Sequence, residues 1–259
     1  MKKRISSRVI ENKKFNIAAT VYLNYYVDPL HKTIEEQSFE NFIFLKFFTY
    51  PSIIALTNWN KKFKNECISK INLYKPNFLI NFATSINNDF KLPQLIRFKV
   101  RYKFMALNLK QLKKFVIDEK PSLDILEVND EENLNEFVKV ISDTTTLQVS
   151  DKEKFFGMFE LNKEEKINYL LLAKYNSEYS GVGHLIYYNE KIGMIDDISV
   201  KEDFRNNGIA TIIMKSLINK AIDDGLDELY LFASEQAIEI YKKLGFIEDD
   251  FWLEQYNIL

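Results

Sequence analysis

The residues best suited to do chemistry lie in one run of the last third of the chain, Lys201-Glu202-Asp203-Phe204-Arg205-Asn206-Asn207-Gly208-Ile209-Ala210-Thr211. The apolar segment Ile192 to Val200 precedes it, and Ile209, Ile213, Leu217 and Ala221 follow at fourfold spacing. That pattern predicts a strand, a turn and an amphipathic helix over about 209–223. The first turn of a helix presents free backbone N–H groups and a partial positive charge, so it attracts a pyrophosphate. Gly208 leaves the backbone open to close approach, Ala210 is nearly as small, and Arg205 can supply a fixed charge or brace the turn.

Three nearby side chains are suited to proton transfer. Asp196 and Asp197 interrupt the apolar run of Ile192, Met194, Ile195, Ile198 and Val200. Burying a carboxylate without a partner is costly, so the pair calls for a reason. Either accepts a substrate proton or holds a cationic substrate, or else it caps a turn or pairs with a neighbouring cation. Tyr241 shares a helical face with Ala237 and Leu244. Its phenol has a pKa suited to protonating a thiolate, with an aromatic core role as the alternative. His184, beside Gly183 in a strand, reads as structural, with a catalytic role as the lesser alternative, and Cys67 reads as a small buried residue.

The whole chain must position these groups. Its 259 residues, 46% hydrophobic and 28% charged, are ordinary globular material with room for one large domain or two small ones. A net charge of −2 argues against nucleic acid as the main partner. One cysteine permits no intrachain disulfide, and two histidines, His31 and His184, make an imidazole-rich metal site unexpected. The apolar run around Phe42 to Leu56 is too short and interrupted to span a bilayer, and no signal peptide follows the basic N-terminus. The expectation is a cytoplasmic protein with no metal, membrane or nucleic-acid partner.

Punctuation divides the chain. All five prolines lie at or before Pro121 and all seven glycines at or after Gly157. A half without glycine cannot hold a glycine-dependent phosphate loop, so ligand chemistry belongs to the second half. The polar segment Asp118-Glu119-Lys120-Pro121-Ser122 marks the boundary, giving domains 1–120 and 121–259. In the first, a helix is expected over 63–73 and strands over 77–83 and 95–107, the last with apolar and basic residues in rough alternation. In the second, strands are expected over 124–128, 169–175, 183–188, 192–200 and 228–233. Helices are expected from a cap at Asn129 or Asp130 to 141, over 152–159, over 209–223, and over 235–244 with Ser234 as cap. Gly225 and Gly245 end the last two, and a final strand begins at Phe246.

Arg205-Asn206-Asn207-Gly208-Ile209-Ala210 resembles the Arg/Gln-x-x-Gly-x-Gly/Ala signature of the GCN5-related N-acetyltransferases (GNAT). Ile195-Asp196-Asp197-Ile198-Ser199-Val200 resembles the strand entering it, and Ala237 to Phe246, with Tyr241 before Leu244-Gly245-Phe246, resembles the family's penultimate helix. The resemblance implies an α/β (α+β) fold, a GNAT-like mixed central sheet flanked by helices, over roughly 122–259. A second, divergent α/β domain, a degenerate relative or an appended module, precedes it. It further implies acetyl-CoA as cosubstrate, with the backbone of Ile198, Ser199 and Val200 along its pantetheine arm. Arg205, Asn206, Asn207, Gly208, Ile209, Ala210 and Thr211 would surround its pyrophosphate. Tyr241 would be the acid, and Asp196 or Asp197 the base. The implied activity is acetyl transfer to a primary amine, and the alternative is a non-catalytic acyl-CoA binding or sensing module. A homodimer is compatible with either.

Overall fold

The computed structural model describes residues 13–27, 33–38, 42–47, 52–56, 64–83, 96–117, 120–144 and 167–258. In chain order the first elements are α1 (Lys13–Val27), β1 (Thr33–Ser38), β2 (Phe42–Phe47), β3 (Ile53–Leu56), α2 (Lys64–Tyr74), β4 (Phe78–Ala83) and β5 (Ile96–Asn108). Then come β6 (Leu123–Glu127), α3 (Glu131–Thr144), β7 (Asn168–Tyr175), β8 (Glu178–Tyr187), β9 (Ile192–Val200) and α4 (Ile209–Asp223). The chain finishes with β10 (Glu228–Ser234), α5 (Ile238–Lys243) and β11 (Ile247–Ile258). The elements form two compact units that interleave in sequence. One comprises Met1–Met105, Phe232–Lys242 and Ile247–Leu259, the other Ala106–Leu231 and Lys243–Phe246.

In the first unit β1, β2 and β3 are antiparallel neighbours, β3 runs parallel to β4, and β4 pairs antiparallel with β11. The core forms where α1 lays Phe15 among aromatic rings. Phe15 stacks on Phe251 at 4.7 Å and meets Phe104 and Phe82 edge-on at 5.4 and 5.9 Å. Offset and edge-on pairs satisfy the ring quadrupoles while burying large apolar area. On the paired strands the residues alternate, so Phe82 and Leu253 are buried opposite each other while the next pair, Asn81 and Glu254, points to the other face. There Asn81 Nδ2 donates to Glu254 Oε2 at 2.9 Å and the Tyr256 hydroxyl donates to the same oxygen at 2.8 Å.

In the second unit β6, β7, β8 and β9 form an antiparallel succession, and β10 joins β9 in parallel. Helix α4 makes the crossover that a parallel β9–β10 pair requires. Its stripe Ile209, Ile213, Leu217 and Ala221 is buried, as the periodicity predicts. Close packing on β8 depends on Gly183, where any Cβ would overlap Ile213 Cγ2. The helix ends at Asp224, whose carboxylate accepts from the Lys220 ammonium at 2.8 Å and the Tyr187 hydroxyl at 2.5 Å, and Gly225 follows at φ +76°. Asp130 caps α3, accepting the Asn133 amide at 2.7 Å.

The mixed sheet with flanking helices is the expected fold class, but elements differ in detail. Strand β8 begins at Glu178 rather than 183. Ser234 ends β10 instead of capping a helix. Its carbonyl accepts the Ala237 amide at 2.9 Å in a turn, and α5 starts at Ile238. Helix α1 and strands β1 to β3 had no counterpart in the sequence reading. The helix expected over 152–159 lies outside the described residues.

Candidate active site

The site grows from an irregularity in β9. On one edge β9 pairs with β10 only over Ile192 to Met194. On the other it pairs with β8, and between the pairs His184–Asp196 and Val182–Ser199 two residues, Asp197 and Ile198, stand opposite the single Gly183. This is a β-bulge, and Asp197 adopts φ +55° to make it. Aspartate is one of the few residues that enter the left-handed region at low cost. The bulge breaks the alternation of faces, so Asp196 and Asp197 both come to His184.

His184 is fully buried. Its Nδ1 lies 3.3 Å from Asp197 Oδ2 and its Nε2 lies 3.0 Å from Asn168 Oδ1. Asp196 Oδ1 accepts the Asp197 amide at 2.9 Å, while its buried Oδ2 has no hydrogen-bond partner. Burial pushes the imidazole down to about 3, against a weaker opposing pull from Asp196. Burial pushes both carboxyls up to about 7, and for Asp196 the neighbouring Asp197 charge adds to it. A neutral imidazole has one N–H. In the tautomer whose N–H is on Nε2, facing Asn168 Oδ1, Nδ1 is a lone pair and a protonated Asp197 would donate to it. In that tautomer Asp197 keeps its proton and Asp196 is the member free to ionise.

The turn after β9 is built from its own polar groups. Glu202–Phe204 forms one 3₁₀ turn, closed by the Arg205 amide on Glu202 O at 3.1 Å. Arg205 Nε donates to Val200 O at 3.3 Å, so this arginine braces the turn. Asn206 sits at φ +66°, and Asn207 Nδ2 bridges to the carbonyls of Phe204 and Arg205 at 3.1 and 3.3 Å. Gly208 follows at φ +76° with no side-chain cap on the helix. The first intrahelical bond runs from the Ile212 amide to Gly208 O, so the amides of Ile209, Ala210 and Thr211 precede the ladder. Lys120, from a segment far back in sequence, donates to Asn207 O at 3.0 Å, and the Tyr175 hydroxyl reaches Asn207 Oδ1 at 3.4 Å. Open amides, a side-chain-free glycine and an adjacent ammonium are a donor set that fits a pyrophosphate.

Asp196, Asp197, Ile198, Ser199, Val200 and the 205–211 turn therefore lie on one continuous stretch of the second unit. Tyr241 is buried at 8% exposure in α5, within the first unit. Sequence reasoning named His184 as structural without placing it beside the aspartates, and missed Asn168, Lys120 and Tyr175 as members of this neighbourhood. The strand alternation that pairs His184 with Asp196 was the one available signal. Among the described residues, no group of three His, Cys, Asp or Glu side chains is arranged to hold a metal ion.

Comparison with known proteins agrees with this architecture. The model of the Acetyltransferase (GNAT) family matches residues 134–246, so this part of the chain is a GNAT domain. No curated protein matches the sequence. Among solved structures, a GCN5-related N-acetyltransferase from Kribbella flavida superposes with a TM-score of 0.69 at 11% identity, covering 96% of each chain. A functionally unknown conserved protein from Staphylococcus epidermidis ATCC 12228 gives 0.62 at 17% identity, over 92% of this chain and 97% of that one. A tandem GNAT protein from the clavulanic acid biosynthesis pathway gives 0.58 at 10% identity, over 94% and 87%. At these identities the likeness is one of fold. A GNAT domain with this fold supports acyl-CoA-dependent acyltransferase chemistry in general.

Proposed function

We propose that the chain is an N-acyltransferase that moves an acetyl group from acetyl-CoA to a primary amine, with its reactive residues on β9 and the following turn. The observation that carries this reading is that β9 runs from Ile195 to Val200 beyond its last pair with β10 and delivers the chain directly to the uncapped start of α4. A strand with one free edge can accept an extended amide-bearing arm as a further strand, and the helix start suits the pyrophosphate at the arm's end.

Acetyl-CoA would supply the thioester. The amides of Ile209, Ala210 and Thr211 would take the pyrophosphate, with Lys120 adding charge and Arg205 holding the turn. A backbone N–H near Ile198 is the proposed donor to the carbonyl oxygen as it gains negative charge. Asp196, the carboxyl left free to ionise, accepts the amine proton as nitrogen bonds to the carbonyl carbon. The carbon–sulfur bond breaks, and the phenol of Tyr241, assigned by its place before Leu244-Gly245-Phe246, protonates the sulfur. The products are an amide and the free thiol. Residues 121–259 would form the acetyltransferase domain and 1–120 its divergent companion.

The test is thiol release from acetyl-CoA in the presence of a panel of amines, with native protein and the Asp196→Asn variant. Amine-dependent thiol release that Asp196→Asn abolishes supports the reading. Acetyl-CoA binding with no turnover on any amine would favour a sensing module instead.

A further inference from the structure

The first unit buries a cation that the acyltransferase reading does not use. Lys103, on β5, is 7% exposed, and its ammonium lies 4.3 Å from the centroid of the Trp252 ring. Two residues earlier on the same face of β5, the Arg101 guanidinium lies 4.7 Å from that same centroid. Arg101 also donates to Glu235 Oε1 from Nε and Nη2 at 3.0 and 2.9 Å, but Glu235 is 63% exposed, so this pair is a solvated one. Among the described residues no carboxylate lies within ion-pairing distance of Lys103. Glu254, the buried carboxylate nearby in sequence to Trp252, has its Oε2 engaged by Asn81 and Tyr256. Two cations thus share one indole, and among the described residues the more buried of them has no counter-charge.

A buried charge without an ionic partner is costly, and attraction to a ring face recovers only part of that cost. An oxyanion would satisfy both cations through charge-assisted hydrogen bonds, with the half-buried indole beside them. We propose that Arg101, Lys103 and Trp252 form a binding site for a small molecule carrying an oxyanion group, a carboxylate or a phosphate. The site stands independently of acyl transfer, since all three residues belong to the first unit.

The full chain is tested with the other tryptophan removed as Trp59→Phe, so that emission reports Trp252 alone. Inorganic phosphate and succinate are titrated separately at constant ionic strength, balanced with sodium chloride. The expected result is a saturable change in emission with one or both anions, with half-saturation raised roughly tenfold or more by Lys103→Met and by Arg101→Gln. Saturation by succinate alone identifies a carboxylate ligand, and by phosphate alone a phosphate ligand. Should Lys103→Met not fold, Arg101→Gln carries the comparison by itself. Emission that fails to saturate with either anion, or half-saturation unmoved by the folded variants, overturns the proposal.

Discussion

His184 Nδ1 lies 3.3 Å from Asp197 Oδ2, although the residue directly paired with His184 across the strands is Asp196. The contact exists because Asp197 turns into the left-handed region at φ +55° and so leaves the face its position would assign. A bulge that puts two carboxyls against one buried imidazole creates a proton-sharing group. Two adjacent acids in a low-dielectric site cannot both ionise cheaply, and with the imidazole lone pair on Nδ1 it is Asp197 that keeps the proton.

This arrangement predicts unequal effects of two similar substitutions. In Asp197→Asn the side-chain amide still donates to His184 Nδ1, replacing the acid proton, and Asn tolerates the left-handed backbone. Asp196→Asn removes the proposed base. Acetyl transfer is expected to fall about 10²-fold or more in Asp196→Asn and far less in Asp197→Asn. Steady-state kcat at pH 8 on the best amine checks this, and the reverse order would reassign the base.

The same groups predict a pH signature in stability. Both carboxyls are raised by burial to about 7, so the folded state holds protons that the unfolded chain releases from about pH 4 upward. Their contribution therefore falls as pH rises from about 4 to about 7. His184, lowered to about 3, acts oppositely between there and its ordinary value, adding stability as pH rises and partly masking the loss. Above pH 7 only the carboxylate cost remains. Asp196→Asn should then be more stable than the native chain at pH 8, on the order of 2 kcal/mol, and equal to it below pH 4. Thermal melts at the two pH values measure the difference.

Gly183 should resist enlargement. A Cβ there overlaps Ile213 Cγ2 and presses on Leu217 and Ile198, so Gly183→Val forces α4 away from β8. The expected cost is about 1–3 kcal/mol, read as a lower melting temperature. The change should also weaken acetyl-CoA binding, because the proposed anion site is the first turn of α4.

Lys103 predicts a change of opposite sign. Replacing a buried cation that has no ion-pair partner among the described residues by an apolar side chain of similar length removes a desolvation cost at the loss of a cation–π contact. In the absence of added anions, Lys103→Met should match or exceed native stability, by about 1 kcal/mol. A clear loss in denaturant melts would show that the ammonium has a structural partner.

The second half was largely legible because its elements are punctuated. The segments 192–200 and 209–223 were read with the boundaries that β9 and α4 have, since an apolar strand, a glycine turn and a fourfold stripe are all local signals. In the first half β4 and β5 were also found within a residue, whereas α1 and β1 to β3 carry no glycine and little periodic contrast. The site was only half readable. Asp196 and Asp197 stood out as charges in an apolar run, but no glycine in β9 marks the bulge, so nothing local indicated that Asp197 would also meet His184. The approach of Lys120 to Asn207 spans 87 positions and has no local signature. The alternation over 95–107 marked β5 as a strand but gave no sign that Lys103 would be buried against Trp252.

The account rests on acyl-CoA binding at the start of α4, and calorimetric titration of acetyl-CoA into native protein and Gly208→Val tests it most directly. Gly208 sits at φ +76°, where a β-branched residue costs roughly 1–2 kcal/mol, and a Cβ there would lie 3.1 Å from Lys120 Nζ and crowd that ammonium. The prediction is saturable binding to the native chain and to Asp196→Asn, with none to Gly208→Val that remains folded by circular dichroism. Absence of binding to the native protein, or equal binding to Gly208→Val, would contradict it.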